Sequence, residues 1–302
     1  MEEKIREGLP GCLSEESVAE AKAILSQIIN IPSAPPVAFK LLSKLKNASQ
    51  NNDEVVEIIK YDANLTASVL KVCNSGIFQA KTEVRSIEDA IIRIGYHKLN
   101  DMVVTISLGK VYTKPKKGNY ISPEYLWQET LRGSFAAKIL ATECPVLAID
   151  PDLAFTVGLL SNMGRFALMN LPSAIPLKIP DVIRQNNLRE YEAEYQVLGT
   201  TTAVIGSILL QSWKLPTAIV EATYFRDLPQ YCPGATQLAY ICNMAGVFAL
   251  VVGNEAPSEY FKSVVPQEIR RVMGLEDGMI ERVLEQVEAK ASEIQSYMGA
   301  VS

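Results

Sequence analysis

No long run of this chain alternates apolar and polar residues with a period of two, and apolar residues instead recur at helical spacing between repeated helix start and stop signals. A chain patterned this way buries its apolar surface helix against helix, so the expected fold class is all-α. Ser14 can accept hydrogen bonds from a first turn that is followed by Val18, Ala21, Leu25, Ile28 and Ile29. The proline cluster between Ile31 and Pro36 breaks that helix, because proline cannot donate into the ladder and biases the preceding residue away from it. Val37, Leu41, Leu42 and Leu45 begin a second helix, and Asp53 and Asp62 cap two more. Asn74-Ser75-Gly76 is the next stop signal. Ser86 then caps a helix in which Asp89 takes the capping-box position and Gly95 the left-handed C-cap, and another follows from about Leu99 to Val111, leaving His97 in a loop.

The lysine-rich loop KPKKGNYIS is the strongest internal boundary. Beyond it, Ser122-Pro123 and Asp150-Pro151 each join an N-cap to a proline in the first turn. Pro172, Pro176 and Pro180 mark an irregular crossing before helices at 181–185 and 188–198, which Gly199 ends. Further helices are expected at 203–213, from Pro216, at 238–252 and at 267–273. From Asp277 onward Met279, Ile280, Val283, Leu284, Val287, Ala291, Ile294 and Met298 form one apolar stripe. No internal period of 20 to 50 residues points to a solenoid.

Composition removes several function classes. With 48% hydrophobic and 21% charged residues among 302, the chain is globular and large enough for one or two domains. A net charge of -5 argues against nucleic acid as a partner, since neutralising phosphates needs a concentrated basic face, and Lys110, Lys114, Lys116 and Lys117 read as a solvated loop. Five cysteines without a C-x-x-C pair fit reduced thiols and a cytoplasmic location. The N-terminus has no apolar core of a secretory signal, and Leu238 to Val252 is shorter than the ~20 residues of a bilayer span, so no membrane insertion is expected. The single histidine, His97, cannot build a His-rich metal centre or serve a nucleophile that no G-x-S-x-G presents.

The remaining signal lies in combined stretches. IPSAPPVAFKLLSKLKN, EIIKYDANLTASVLKVCNSGIF and VRSIEDAIIRIG in the first part, then YLWQETLRGSFAAKIL, AFTVGLLSNMGRFAL and SWKLP, together resemble the HDOD domain, a bacterial signalling module related to HD phosphohydrolases. The resemblance covers residues 18–228. It implies an N-terminal helical lobe (18–118) packed on an HD-like lobe (119–228), after a segment 1–17 and before a C-terminal helical extension (229–302). In HD hydrolases the counterpart of Gly158 to Gly164 reads roughly G-L-L-H-D-I-G, and its His-Asp pair grips the metal. Here those positions are Ser161 and Asn162. By the same resemblance Glu129 stands where an HD helix could carry its first His, Thr202 where related sequences often have another, and Arg226 and Asp227 near a later His-His pair. Ala63 after Asp62 departs from the family's usual proline. Asp62, Asn74, Ser86 and Gly95 are expected to cap and end helices rather than bind a ligand.

Glu129, Ser161, Asn162, Thr202, Arg226 and Asp227 form the candidate relict pocket. A hydroxyl or an amide adds no charge and binds a catalytic cation weakly, so the expectation is a non-enzymatic regulator without metal or cofactor. Its expected partners are signalling proteins supplied in trans: a sensor kinase, a response regulator or a cyclic-dinucleotide enzyme, with a small ligand in the pocket left open. The alternatives are a metal-dependent phosphohydrolase with altered ligands, for instance a hard cation on Glu129 and Asn162, and a cyclic-dinucleotide receptor that does not cut its ligand. The HD-GYP type of phosphodiesterase fails on its histidines.

Overall fold

Capping side chains set where most of the early helices begin. In the computed structural model, which describes residues 10–28, 35, 37, 56–57, 59–60, 62–78, 83–112 and 121–301, Ser14 accepts from the Ser17 N–H at 3.3 Å and opens α1 (Glu15–Ser26). Asp62 accepts from the Leu65 N–H at 2.9 Å and opens α2 (Ala63–Cys73). Ser86 accepts from the Asp89 N–H at 3.0 Å and opens α3 (Ile87–Ile94), and α4 (Tyr96–Tyr112) follows Gly95 directly. Ser122 and Asp150 open α5 (Pro123–Glu143) and α6 (Pro151–Leu160), and Asp150 takes the N–H groups of both Asp152 and Leu153 at 2.9 Å. Each such cap contributes about 1 kcal/mol, because it satisfies a donor the first turn leaves open.

The second half continues with α7 (Met163–Met169), α8 (Ile179–Asn186), α9 (Glu190–Leu198), α10 (Thr202–Ser212), α11 (Thr217–Tyr224) and α12 (Thr236–Val251). It closes with α13 (Pro257–Val264), α14 (Gln267–Met273), α15 (Asp277–Glu288) and α16 (Ala291–Val301). No strand occurs among the described residues, and no helix among them is long and apolar enough to cross a membrane. All five cysteines are buried free thiols. The expected helix from Val37 to Leu45 apart from Val37, the break before it apart from Pro35, the Asp53 cap and the lysines at 114, 116 and 117 lie outside the described residues.

Three local expectations are corrected, and a fourth, at Asn74, is met and extended. His97 sits in the first turn of α4 rather than in a loop. Gly95 has the expected positive φ of 79°, but its ψ of 163° lies outside the left-handed helical basin, in a region open almost only to glycine. Asp89 reaches back to the N–H of Arg85 at 3.1 Å, one residue before the cap. Asn74 ends α2 through its backbone, while its side chain pairs with the backbone of Val84 in both directions at 2.8 Å.

The main core gathers Leu65 and Val69 of α2, Met102 and Ile106 of α4, Trp127 and Leu131 of α5, and Phe155 and Leu160 of α6. Each large apolar side chain buried there contributes about 1.5–3 kcal/mol. Helix α5 is buried on several sides, packing against α4, α6, α12, α15 and α16. A smaller core joins Leu140 of α5 to Ile241 and Phe248 of α12, Phe261 of α13 and Val283 of α15. Helix α13 was not anticipated. Its Phe261 is fully buried and meets Phe248 with ring centroids 4.4 Å apart.

The stripe from Met279 to Met298 is not one helix, because the chain turns at Ala289 and Lys290. Its first half, with Ile280, Val283 and Val287, fills the smaller core, and its second half returns to the main core through Ile294 and Tyr297. Helix α16 therefore packs on α2 and α4 as well as on α5. Two consecutive amphipathic helices facing different cores produce the same period as one long helix, so the stripe alone could not show the break.

Candidate functional site

The pocket is assembled by one close backbone approach. Ser161 and Asn162 form the turn between α6 and α7, and Gly164 follows in the first turn of α7. A Cβ on Gly164 would stand 1.8 Å from the Thr202 carbonyl oxygen and 2.9 Å from the Gly206 nitrogen, so α7 and the start of α10 touch backbone to backbone. Gly158 makes the same kind of approach to α5, where a Cβ would meet the Ser134 Cα at 2.5 Å. These two contacts bring the α6–α7 turn beside Thr202 on one side and Thr130 on the other.

Arg226, two residues beyond α11, reaches into this corner. Its Nη1 donates to the carbonyl of Ser161 and lies 3.4 Å from Asn162 Oδ1, its Nη2 donates to Thr202 Oγ1 at 2.9 Å, and its Nε stands 3.4 Å from Asp227 Oδ1. Asn243 of α12 donates to the Arg226 carbonyl at 2.6 Å and holds the backbone in place. The structure thus brings Ser161, Asn162, Thr202 and Asp227 together around one guanidinium. Glu129 belongs to an adjoining cluster: it accepts from Arg165 Nη1 at 2.5 Å, and the other arm of Arg165 pairs with Glu190. Thr130, next to Glu129, accepts from Asn162 Nδ2 at 3.0 Å and links the two clusters. Ser161 donates its hydroxyl back to Gly158 at 2.8 Å.

Arg165, Glu190, Glu194 and Thr130 were not among the expected site residues. Arg165 carried a legible signal, since it is the lone charge in the run from Leu153 to Met169, where a buried charge needs a partner. Glu194 carried none, because its place in EYEAEYQVL reads like any solvated acidic position. It is nevertheless 1% exposed, and its carboxyl accepts from the N–H of Thr202 and from the Thr202 hydroxyl, both at 2.8 Å.

The charges are unequal in kind. Two guanidiniums face four carboxyl groups, those of Glu129, Glu190, Glu194 and Asp227. Burial first, then the charges of Glu190 and Asp227, push Glu194 up to about 8 against the pull of Arg226 and the Thr202 N–H. Burial likewise raises Asp227 against the pull of Arg226, and Asp227 Oδ2 is buried with no hydrogen-bond partner among the described residues. Burial works to raise Glu190 too, but the charge and hydrogen bond of Arg165 override it and hold that carboxyl below its ordinary value.

A raised carboxyl value means that the folded chain holds the Glu194 proton more tightly than the unfolded chain does. The proton's contribution is full below the ordinary value of 4.5 and is lost as pH rises through about 8. The urea midpoint is therefore expected to fall between pH 5 and pH 8.5. Glu194→Gln, which keeps a neutral acceptor for Thr202, should reduce that slope, and an unchanged slope would show that Glu194 is ionised in the fold.

The sequence model of the HDOD domain matches residues 31–229. This chain belongs to the HDOD domain family. Its fold is shared with an HDOD domain protein of unknown function from Geobacter sulfurreducens, at a TM-score of 0.78 and 19% identity over 95% of this chain and 99% of that one. A protein from Marinobacter aquaeolei VT8 provisionally described as a signal transduction protein superposes at 0.78 with 18% identity over 98% of this chain and 68% of that one. One from Shewanella amazonensis SB2B provisionally described as a phosphohydrolase superposes at 0.71 with 22% identity over 93% and 98%. At such identities the likeness carries the HDOD fold alone. An uncharacterized protein of Treponema pallidum (strain Nichols) is 22% identical over 213 residues, 70% of this chain, and the chain spans 40% of that relative's length. Helix α1 precedes the matched HDOD segment and packs on α10, where Ser17 donates to Thr200 Oγ1 at 2.9 Å.

Proposed function

We propose that this HDOD protein is a non-enzymatic regulator in bacterial signal transduction that acts in the cytoplasm by binding other signalling proteins, such as a sensor kinase, a response regulator or a cyclic-dinucleotide enzyme. Membership of the family supports the signalling side of this reading. The observation that carries the non-enzymatic side is the pair of guanidiniums set among the residues at the HD metal positions. Phosphoester hydrolysis of the HD type needs a cation that activates a water, held by imidazoles and carboxylates that converge on it. Here Glu129 is turned to Arg165, Thr202 Oγ1 accepts from Arg226, and the Asn162 oxygen faces Arg226. A divalent cation would have to displace or outweigh two fixed positive charges to reach the same oxygens.

Elemental analysis of the purified protein, with a hydrolysis screen of cyclic dinucleotides, nucleotides and simple phosphoesters, tests the enzymatic side. The expected result is no stoichiometric bound metal and no turnover. Bound metal at one per chain, with hydrolysis that Glu129→Ala abolishes, would make the protein a phosphohydrolase with altered ligands. Affinity capture from a bacterial lysate tests the partner side, and recovery of no signalling protein under several conditions counts against it.

A further inference from the structure

The first turns of α4 carry His97, Lys98 and Asp101, and each pairs with a helix that follows the lysine-rich loop. His97 Nδ1 lies 2.7 Å from Asp152 Oδ2 on α6. Asp101 Oδ2 accepts from Lys138 Nζ of α5 at 2.6 Å, and the same ammonium donates to Asp152 Oδ1 at 2.7 Å. Lys98 pairs with Glu293 of α16, which also faces Lys290 at 3.5 Å and accepts from the Tyr297 hydroxyl at 3.3 Å. The aromatic rings beneath are Phe135 and Phe155, which the ammoniums of Lys98, Lys290 and Lys138 overlie at 5.4–5.6 Å. Of the remaining neighbours, α2 brings Cys73 within charge range of Tyr297, and α3 brings Arg93 within charge range of Cys73.

We propose that the seam where α4 meets α5, α6 and α16 is a proton-sensitive clasp, tightened when Asp101 takes up a proton and loosened when it loses one. The geometry makes one ammonium serve two carboxylates. Asp152, more exposed and sharing its second oxygen with His97, is a good counter-ion for Lys138 at any pH where it is charged. Asp101 is 7% exposed, so its charge must be carried inside the seam with only half a partner. Protonated, Asp101 remains within hydrogen-bond reach of Lys138 and leaves the ammonium to Asp152. Ionised, it sets a second carboxylate on the ammonium that Asp152 already holds, and opening the seam to water relieves the cost of burying that charge.

The balance of burial and charge has the same sign. Burial first, and Asp152 with it, pushes Asp101 up to about 6, against the opposing charges of Lys138 and Lys98. Burial acts on Asp152 in the same direction, yet the hydrogen bond and charge of Lys138, with His97, hold it below the ordinary value. The stabilising proton on Asp101 is thus fully present below the ordinary 3.8 and lost as pH rises through about 6. The clasp depends on neither the chemistry nor the partners of the Arg226 pocket.

Hydrogen exchange of the full chain between pH 5.0 and 7.5, corrected for intrinsic rates, reads the clasp through the amides of the first turns of α4 and of α16. Opening should be about tenfold more frequent at pH 7.5 than at pH 5.0. Asp101→Asn, which fixes the neutral state, should make those amides indifferent to pH, while His97→Gln should leave the wild-type response in place. A pH-independent wild type, an Asp101→Asn variant with the wild-type slope, or loss of the response in His97→Gln would each overturn the proposal. The Asp101 carboxyl resonance followed by NMR in the unaltered protein decides the matter even if the variant fails to fold. A midpoint near 6 supports the clasp, and one near 4 refutes it.

Discussion

Gly164→Ala is expected to destabilise the protein by at least about 3 kcal/mol, read as the fall in the urea or thermal midpoint against the wild type. Extra methyl groups in well-packed interiors cost about 1–3 kcal/mol when flexible side chains can move aside. Here the obstructing atoms are the carbonyl of Thr202 at 1.8 Å and the nitrogen of Gly206 at 2.9 Å, which belong to the backbone at the start of α10. Helices α7 and α10 would have to separate, and the hydrogen bonds of Arg226 to Ser161 and Thr202 span that contact. Gly246→Ala provides the control. It lies in α12 with no described residue within 4 Å of the added Cβ, so alanine there should stabilise by about 0.5–1 kcal/mol through helix propensity. Equal effects at the two positions would show that the backbone contact is not closed in solution.

Arg226→Ala carries the second large effect, an expected loss of about 3–5 kcal/mol in the same denaturation measurement. The side chain is 12% exposed and bonds the Ser161 carbonyl and Thr202 Oγ1 while neutralising Asp227. Its removal leaves those acceptors without a donor and increases the excess of carboxyl groups around Glu194. Arg226→Lys should recover only part of the loss, because a single ammonium cannot address in one plane the three directions that the guanidinium serves. Full recovery by lysine would mean that only the charge matters and that the fork geometry does not. A loss below 1 kcal/mol would mean that water already satisfies the corner.

The two predictions concern two sides of one corner, and they differ in how far the sequence disclosed them. That Gly158 and Gly164 allow close packing was legible, because glycine among large apolar residues in a helical pattern points to backbone approach. The gathering of Ser161, Asn162, Thr202, Arg226 and Asp227 into one corner follows positions that the family resemblance singled out. What those side chains do there was not legible. The expectation framed Ser161 and Asn162 as missing metal ligands and treated Arg226 as a residue near a lost histidine pair. In the structure Arg226 is the cation at the centre, and Arg165, four residues along from Ser161, is a second one. Charge in a sequence shows neither depth nor partner, and Glu194 and Glu190 lie one helical turn apart, one buried and the other at the rim.

The boundaries of the capped helices were set by interactions within four residues, such as Asp62 to Leu65 or Asp150 to Leu153, and so the sequence by itself determined where those helices begin and that the class is all-α. It also carried, in spaced motifs, membership of the HDOD family. Tertiary structure alone decided that α16 turns back at Ala289 and Lys290 to close on α2 and α4, that Lys138 is divided between Asp101 and Asp152, and that two guanidiniums occupy the pocket. The physical reason is range. A cap is satisfied by its own turn, whereas the state of a buried charge depends on residues tens to more than a hundred positions away that only packing brings within hydrogen-bond distance.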